Sequence, residues 1–171
     1  MAKADLNEFI RNIKNYMLSE YGFGARSEYC LGPERWCFKA DIACDIKNGK
    51  LIIEIEQGQP HPDTNVAKYW YWLEKSKYKG KLYLIQVFGR EFYDNNYKSR
   101  ADLCQFVAEK ISKCHANFKY MSIPGKKSHK WEEDWRIQKL LPEVKNILNS
   151  IIKKINKKNL NAQDRKRVKK G

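Results

Sequence analysis

The sequence predicts an α/β protein, in which helices pack on a mixed α+β sheet within one domain. Apolar residues recur at helical spacing in some segments and alternate along others, so helices and strands follow one another along the chain. The pair Asn48-Gly49 separates two alternating apolar runs, which is a strong local signal for a β-hairpin. The length of 171 residues, 42% of them hydrophobic, is sufficient for a single core of ordinary size.

The first predicted element is a helix at residues 5–21. Apolar residues from Leu6 to Met17 fall on one stripe at helical spacing, and Gly22 ends the pattern. Residues 26–32 are predicted to form a short strand after this helix.

The predicted hairpin consists of strands 36–46 and 51–57. With Asn48-Gly49 as a two-residue loop, Asp41 lies directly opposite Glu56, and Glu54 is a diagonal neighbour. Because side chains alternate across a strand, all three carboxylates are expected on one face of the sheet.

Helices and strands alternate through the rest of the chain. The predicted elements are helix 65–78, strand 81–88, helix 99–115, strand 118–123 and helix 135–155. Val66, Trp70 and Leu73 are expected on the inner side of the first of these helices, which Asp63 or Thr64 would cap. The inner stripe of helix 99–115 is predicted to comprise Leu103, Phe106, Val107 and Ile111. The resulting order of elements is αβββαβαβα.

The charge of the chain favours a polyanionic partner. Its formal net charge is +14, and the segment from Lys153 onward contributes +8 of this, so the remainder is basic as well. A basic tail alone is typical of a solvated appendage or a localisation signal, whereas a basic body in addition favours nucleic acid held through its phosphates. Residues 156–171 are predicted to form a flexible basic tail.

Cysteine usage and the apolar pattern predict an intracellular location, cytoplasmic or nucleoid-associated, without a membrane segment. The five cysteines are odd in number and lack CxxC spacing, which argues against a disulfide framework and a structural zinc site. No apolar run reaches the length of about 18 residues that a membrane span needs. Cys44, Cys104 and Cys114 are expected to behave as small apolar side chains.

Three carboxylates on one sheet face repel one another, so the predicted cluster of Asp41, Glu54 and Glu56 requires compensation. A proton shared between two of the acids would relieve the repulsion. A hard divalent cation such as magnesium, which prefers oxygen ligands, would also do so. The alternative is a solvated face on which the charges spread apart. Because the acids cluster within a chain of net charge +14, we favour compensation.

The hairpin residues resemble a known motif. Ala40-Asp41, twelve intervening residues and Glu54-Ile55-Glu56 are similar to the PD-(D/E)xK nuclease superfamily, whose restriction-endonuclease-like fold has an αβββαβ core. The predicted order of elements matches that core over about half of the chain. The run Asn65-Val66-Ala67-Lys68-Tyr69-Trp70 also looks like members of the superfamily. The resemblance implies a nuclease-like domain at 1–155, with added C-terminal helices.

Two positions depart from the motif. Ala40 stands where proline is frequent, and Glu56 stands where lysine is usual, although Glu-x-Glu occurs in some restriction enzymes that recognise palindromes. Either Glu56 acts as a further metal ligand or general base, or a lysine from elsewhere supplies the charge. Lys68 on the next predicted helix is the candidate for that lysine.

The resemblance implies a magnesium site, with Mn²⁺ able to substitute. Asp41, Glu54 and the backbone carbonyl of Ile55 would hold the ion, and Glu8 on the first helix is a candidate for a further ligand. The ion would lower the pKa of a bound water and stabilise charge on the phosphate under in-line attack. Two other glutamates are equally plausible in place of Glu8, namely Glu20 and Glu28.

The same resemblance implies catalytic roles and DNA contacts. Glu56 would orient or deprotonate the attacking water, and Lys68 would complete the catalytic set with Asp41 and Glu54. The residues expected to contact nucleic acid are Gln59, Asn65, Lys68, Lys126, Lys127, Lys130, Arg165, Lys166 and Arg167.

The function that this resemblance implies is that of a magnesium-dependent endodeoxyribonuclease, a hydrolase of restriction, junction-resolving or repair type. Double-stranded DNA is the favoured partner, and a homodimer is expected because duplex DNA has pseudo-two-fold symmetry. A non-catalytic nucleic-acid-binding module of the same fold is the alternative, and the glutamate at the lysine position keeps it open.

Overall fold

A five-stranded mixed sheet, with helices on both faces, organises the chain. The computed structural model describes residues 3–32, 37–57, 60–89, 92–93, 95–125 and 140–168. Within them the elements are α1 Lys3–Tyr21, β1 Arg26–Leu31, β2 Phe38–Ile46, β3 Gly49–Glu56, α2 Pro62–Ser76, β4 Lys81–Phe88, α3 Asn95–Cys114, β5 Phe118–Ile123 and α4 Leu141–Val168. Their order confirms the predicted mixed α/β class. In this part of the chain, no helix combines the length and the apolar character needed to cross a bilayer.

The strands lie side by side in the order β1-β2-β3-β4-β5. The first three form an antiparallel meander, whereas β4 runs parallel to β3 and β5 runs parallel to β4. The helices α2 and α3 are the crossovers that parallel pairing requires. Because β3, β4 and β5 run in the same direction, their carboxyl ends meet at one edge of the sheet.

Each face of the sheet carries its own apolar core. The helices α1 and α4 cover one face, where the buried side chains include Phe9, Ile13, Ile53, Ile85 and Leu148. The helices α2 and α3 cover the other face, where they include Ile52, Val66, Tyr69, Leu84 and Cys104. Alternation along β3 therefore points Ile53 and Ile55 toward α1 and α4, and it points Glu54 and Glu56 toward α2.

The register of the hairpin differs from the prediction by two residues. Ile46 pairs with Gly49, so the loop is Lys47-Asn48 instead of Asn48-Gly49. Asn48 takes the left-handed conformation, with φ of 61°, which asparagine tolerates better than most residues. Continuing this register places Asp41 beside Glu54 and not opposite Glu56, as the two-residue loop had predicted.

Gly49 is required in β3 because β4 approaches its backbone. A Cβ atom there would lie closer than van der Waals contact to the backbone carbonyl oxygen of Lys81. We expect Gly49→Ala to lower the free energy of unfolding by about 1–3 kcal/mol, measured by urea denaturation, because the backbone has to shift. Gly24→Ala is the matched control, since nothing lies within 4 Å of that position. Equal losses in the two variants would contradict the proposed contact.

The helices differ from the prediction in their ends and inner faces. The helix α2 begins at Pro62, and its buried aromatics are Tyr69 and Trp72 in place of Trp70, which is only partly buried. On α3, Phe106 is 54% exposed although it was predicted to face inward. The helix α4 continues to Val168, beyond the predicted end near residue 155.

Cys30 and Cys37 form a disulfide, which contradicts the prediction from cysteine count. Antiparallel pairing of Leu31 with Phe38 brings the two cysteines together, with Cα atoms 5.4 Å apart. Cys44 and Cys104 are buried as predicted, but Cys114 is exposed. Because disulfides are uncommon in reducing compartments, the intracellular location stays a prediction.

Candidate functional site

The buried polar side chains gather at one place on the sheet face covered by α2. Among the described residues these are Glu54, Glu56 and Gln86, with exposed fractions of 2%, 0% and 0%. Asp41 on β2 is partly buried beside them, as the alternation of both strands predicted. Burying a carboxylate lowers the stability of the folded state unless the group is neutralised and hydrogen-bonded. These carboxyl groups therefore need hydrogen-bond donors or positive charge close by.

The Asp41 side chain takes the place of a backbone partner in the β2–β3 ladder. The backbone pairs run from Ile46–Gly49 to Ile42–Ile53. Two residues beyond Ile53 on β3, the Ile55 N–H donates to Asp41 Oδ2 at 2.7 Å. The carbonyl of a strand residue points to the same side as its N–H, so the Ile55 carbonyl also faces the β2 side, where Asp41 lies.

Glu54 is neutralised by a lysine from α2. The Lys68 Nζ lies 2.7 Å from Glu54 Oε1 and also donates to the Lys39 carbonyl at 2.6 Å and to Asn65 Oδ1 at 3.1 Å. These contacts use all three protons of the ammonium group. The Tyr69 hydroxyl donates to the same Glu54 oxygen.

Glu56 is held by two side-chain amides. Asn65 Nδ2 donates to its two carboxylate oxygens at 3.0 and 3.2 Å, and Gln86 Nε2 donates to Oε1. The orientation of the Gln86 amide is set by two further contacts, because its Nε2 donates to the Pro62 carbonyl and its Oε1 accepts from the Tyr120 hydroxyl. A continuous hydrogen-bond network therefore joins β5, β4, β3 and α2.

Burial raises the pKa of all three carboxyl groups. Desolvation, together with the charge of Asp41, raises the pKa of Glu54 to about 7 against the opposing effect of Lys68. Desolvation likewise raises the pKa of Glu56 to about 7, against the opposing hydrogen bonds from Gln86 and Asn65. The pKa of Asp41 is raised by burial, although the Ile55 N–H and Lys68 lower it. The cluster therefore exchanges protons near neutral pH, which is the range that general acid–base chemistry needs.

The donor atoms of the cluster fit a hard cation only in part. Asp41, Glu54 and the Ile55 carbonyl supply oxygen ligands, and magnesium often needs only one or two carboxylates together with waters or phosphate oxygens. Within the described ranges, however, no three His, Cys, Asp or Glu side chains are grouped closely enough to hold a metal by themselves. Glu56 is engaged by Asn65 and Gln86, so the ligand set is two carboxylates and one carbonyl.

The structure distinguishes two of the glutamates considered as further ligands, Glu8 and Glu28. Glu8 on α1 pairs with Arg11 at 3.6 Å, and its helix packs on the opposite face of the sheet. Glu28 on β1 lies between Ser27 and Tyr29, which pair with Ile42 and Ala40 on either side of Asp41, and its charge raises the Asp41 pKa. Of these two glutamates, Glu28 is thus the one whose charge acts on the cluster.

The predicted nucleic-acid contacts are placed only in part. Asn65 and Lys68 belong to the cluster described above. Four of the others lie outside the described residues, namely Gln59, Lys126, Lys127 and Lys130. Three lie in the last turns of α4, where side chains are outside the described part, namely Arg165, Lys166 and Arg167.

Three residues of the network were missed by the sequence analysis: Tyr69, Gln86 and Tyr120. Gln86 had a signal, because it interrupts the otherwise apolar strand Lys81–Phe88. Tyr69 follows Lys68 and lies one helical turn after Asn65, so the spacing placed it on the same side of α2. Tyr120 carries no sequence signal for this role, since only the pairing of β5 with β4 brings it to Gln86.

Comparison with protein-family models, with curated proteins and with solved structures finds no match to this chain. Function is therefore inferred from the cluster itself. It combines carboxyl groups that titrate near neutrality, a fixed ammonium group and a partly open side at Asp41, which together suit proton transfer and the binding of a cation or a phosphate.

Proposed function

We propose that this protein is a magnesium-dependent endodeoxyribonuclease of the PD-(D/E)xK type. The observation that carries the proposal is the contact of Asp41 with the Ile55 N–H, which places the acid of β2 against the Glu54-Ile55-Glu56 segment. The antiparallel meander followed by α2 and a parallel β4 is also consistent with a restriction-endonuclease-like core.

The residues of the cluster divide into three roles in this proposal. Asp41, Glu54 and the Ile55 carbonyl would hold Mg²⁺ or Mn²⁺, whose chemistry is to lower the pKa of a bound water and to offset charge on the phosphate. Glu56, with a pKa raised to about 7, would take up the proton of the attacking water. Lys68 would offset the negative charge of the phosphate from its position beside Glu54.

Lys68 compensates for the glutamate at the usual lysine position of the motif. The usual lysine position is occupied by Glu56, yet the Lys68 ammonium lies 2.7 Å from Glu54 Oε1. A lysine delivered from α2 thus supplies positive charge within the carboxylate cluster. Glu56 is then available as a base, held in position by Asn65 and Gln86.

The net charge of +14 supports DNA as the partner, because lysine and arginine side chains neutralise phosphates. Cleavage of both strands of a duplex would be most simply achieved by a homodimer, since duplex DNA has pseudo-two-fold symmetry.

One observation favours a second candidate function, a non-catalytic nucleic-acid-binding module. Lys68 satisfies its three donors within the cluster and balances the charge of Glu54 without a metal. A chain in which the ammonium group has permanently replaced the cation would bind DNA and cleave none.

The two functions separate in a cleavage assay with the wild-type chain. We expect supercoiled plasmid and linear DNA to be cut with magnesium or manganese and to remain intact with a chelator. DNA binding, measured by fluorescence anisotropy with chelator, should persist. Binding without cleavage across both metals and several DNA forms would instead establish the binding module.

A further inference from the structure

A cavity opens at the edge of the sheet where the parallel strands β4 and β5 end. Its volume is about 490 Å³, within the range of small-molecule sites. Its lining comes from the segment after β4, the first turns of α3 and the segment after β5, and includes Phe92, Tyr93, Lys98, Asp102 and Gly125. We call this the strand-end cavity. Ligands of open α/β sheets commonly bind outside the carboxyl ends of the strands.

The strand-end cavity is connected to the strand that carries the acids. The Gly89 N–H donates to the Glu56 carbonyl at 2.9 Å, and the Gly89 carbonyl accepts from the Phe92 N–H at 3.2 Å. A Cβ atom at Gly125 would press against the same Gly89 carbonyl, so the segments after β4 and β5 are in close contact. Neighbouring strands are about 4.8 Å apart. The ends of β3 and β5 are therefore roughly 10 Å apart, a distance that a few nucleotide steps at about 3.4 Å of rise would span.

The side chains of the cavity match the parts of a nucleotide. Tyr93 is an aromatic ring that is 49% exposed, which is available for stacking on a base. Lys98 and Asp102 are four residues apart on α3 and so lie on one face of the helix. An ammonium group suits a phosphate, whereas a carboxylate accepts hydrogen bonds from the N–H groups of a base edge.

We propose that the strand-end cavity holds one unpaired nucleotide of the DNA substrate, a few nucleotides away from the phosphate that is cut. The base stacks on Tyr93, its N–H edge faces Asp102, and its phosphate lies at Lys98. This inference rests on the proposed function. It specifies that function further, because a base within a duplex cannot enter the cavity. The preferred substrate is therefore DNA with an unpaired nucleotide, such as a branch, a flap or an extruded base.

The inference is tested by DNA binding in the presence of chelator. Two labelled duplexes are compared that carry the same short single-stranded extension, with bases in one and abasic sites in the other, so that their phosphates are equal in number. The wild-type chain is expected to bind the extension with bases about tenfold more tightly. Tyr93→Ala should lose this preference, and Tyr93→Phe should keep it. Lys98→Ala should weaken both complexes alike and reduce the salt dependence of binding.

Phe106→Ala is the matched control, because Phe106 is 54% exposed on α3 and is not part of the cavity lining. An equal loss of preference in Phe106→Ala and Tyr93→Ala would overturn the inference, and so would wild-type binding that ignores the bases. Base-insensitive binding together with metal-dependent cleavage would support the proposed nuclease function and refute the nucleotide site. A Tyr93-dependent preference without cleavage would leave the site standing without the nuclease. Absence of any DNA binding would overturn both.

Discussion

Replacing Glu54 by alanine is expected to lower magnesium-dependent DNA cleavage by at least about 10²-fold and to leave DNA binding in place. Glu54 is the acid that lies beside Asp41 and contacts both Lys68 and Tyr69. Its removal takes away one proposed metal ligand and frees the Lys68 ammonium from its partner. Initial rates of plasmid nicking with magnesium give the loss, and anisotropy with chelator gives the binding.

The control for this experiment is Asp45→Asn. Asp45 lies on β2, its side chain is 69% exposed, and it pairs with Lys50 away from the cluster. Its cleavage rate should stay within about twofold of the wild type, since surface ion pairs contribute little. Glu54→Gln, which keeps the shape of the side chain, guards against loss through misfolding. Cleavage by a folded Glu54→Gln variant at the wild-type rate would refute the assigned role.

Glu54 and Glu56 are expected to lower the free energy of unfolding as the pH rises. In the folded chain burial raises both pKa values from 4.5 to about 7. Between these values the folded state binds more protons than the unfolded state, so this contribution falls as pH rises from about 4.5 to about 7. A shift of this size corresponds to about 3 kcal/mol per carboxyl group. Asp41 is a neighbour of both groups, and its charge contributes to raising both pKa values.

Urea denaturation at pH 5 and pH 8 measures this effect when the wild type is compared with Glu54→Gln/Glu56→Gln. The double variant should gain stability relative to the wild type at pH 8, and the gain should be much smaller at pH 5. The side chains that face the two acids are the same in both proteins. They are Lys68 and Tyr69 at Glu54, and Asn65 and Gln86 at Glu56. Parallel pH profiles for the two proteins would contradict the raised pKa values.

Magnesium provides a second readout on the same pair of proteins. At pH 8 the ion should raise the melting temperature of the wild type, because a bound cation relieves repulsion among the carboxylates. The double variant, which lacks two of these charges, should respond little.

Much of the fold follows from local patterns in the sequence. The bounds of β4 and β5 agree with prediction, and α1 ends before Gly22, which adopts the left-handed conformation that glycine favours. These elements have apolar periodicity along their length and a clear ending. The inner faces of α2 and α3 were predicted less well. Aromatic residues such as Trp70 and Phe106 occur at helical spacing from other apolar residues, yet their side chains lie outside the buried face.

The disulfide and the hydrogen-bond network could not be read from the sequence. Cys30 and Cys37 meet because β1 pairs with β2, and Tyr120 reaches Gln86 because β5 pairs with β4. Contacts of this kind depend on which strands become neighbours, and periodicity along a single strand carries no such information.

Sequence alone determined that Asp41, Glu54 and Glu56 share one face of the sheet. Side chains repeat every two residues along a strand, so the observed slip of two residues in the hairpin leaves every side chain on its predicted face. Which acid stands beside Asp41 was decided by tertiary structure, since β4 lies against Gly49 and the turn falls at Lys47-Asn48. Tertiary structure also decided the chemistry of the acids. Packing of α2 and β4 over Glu54 and Glu56 removes water from them, and that desolvation raises their pKa values toward neutrality.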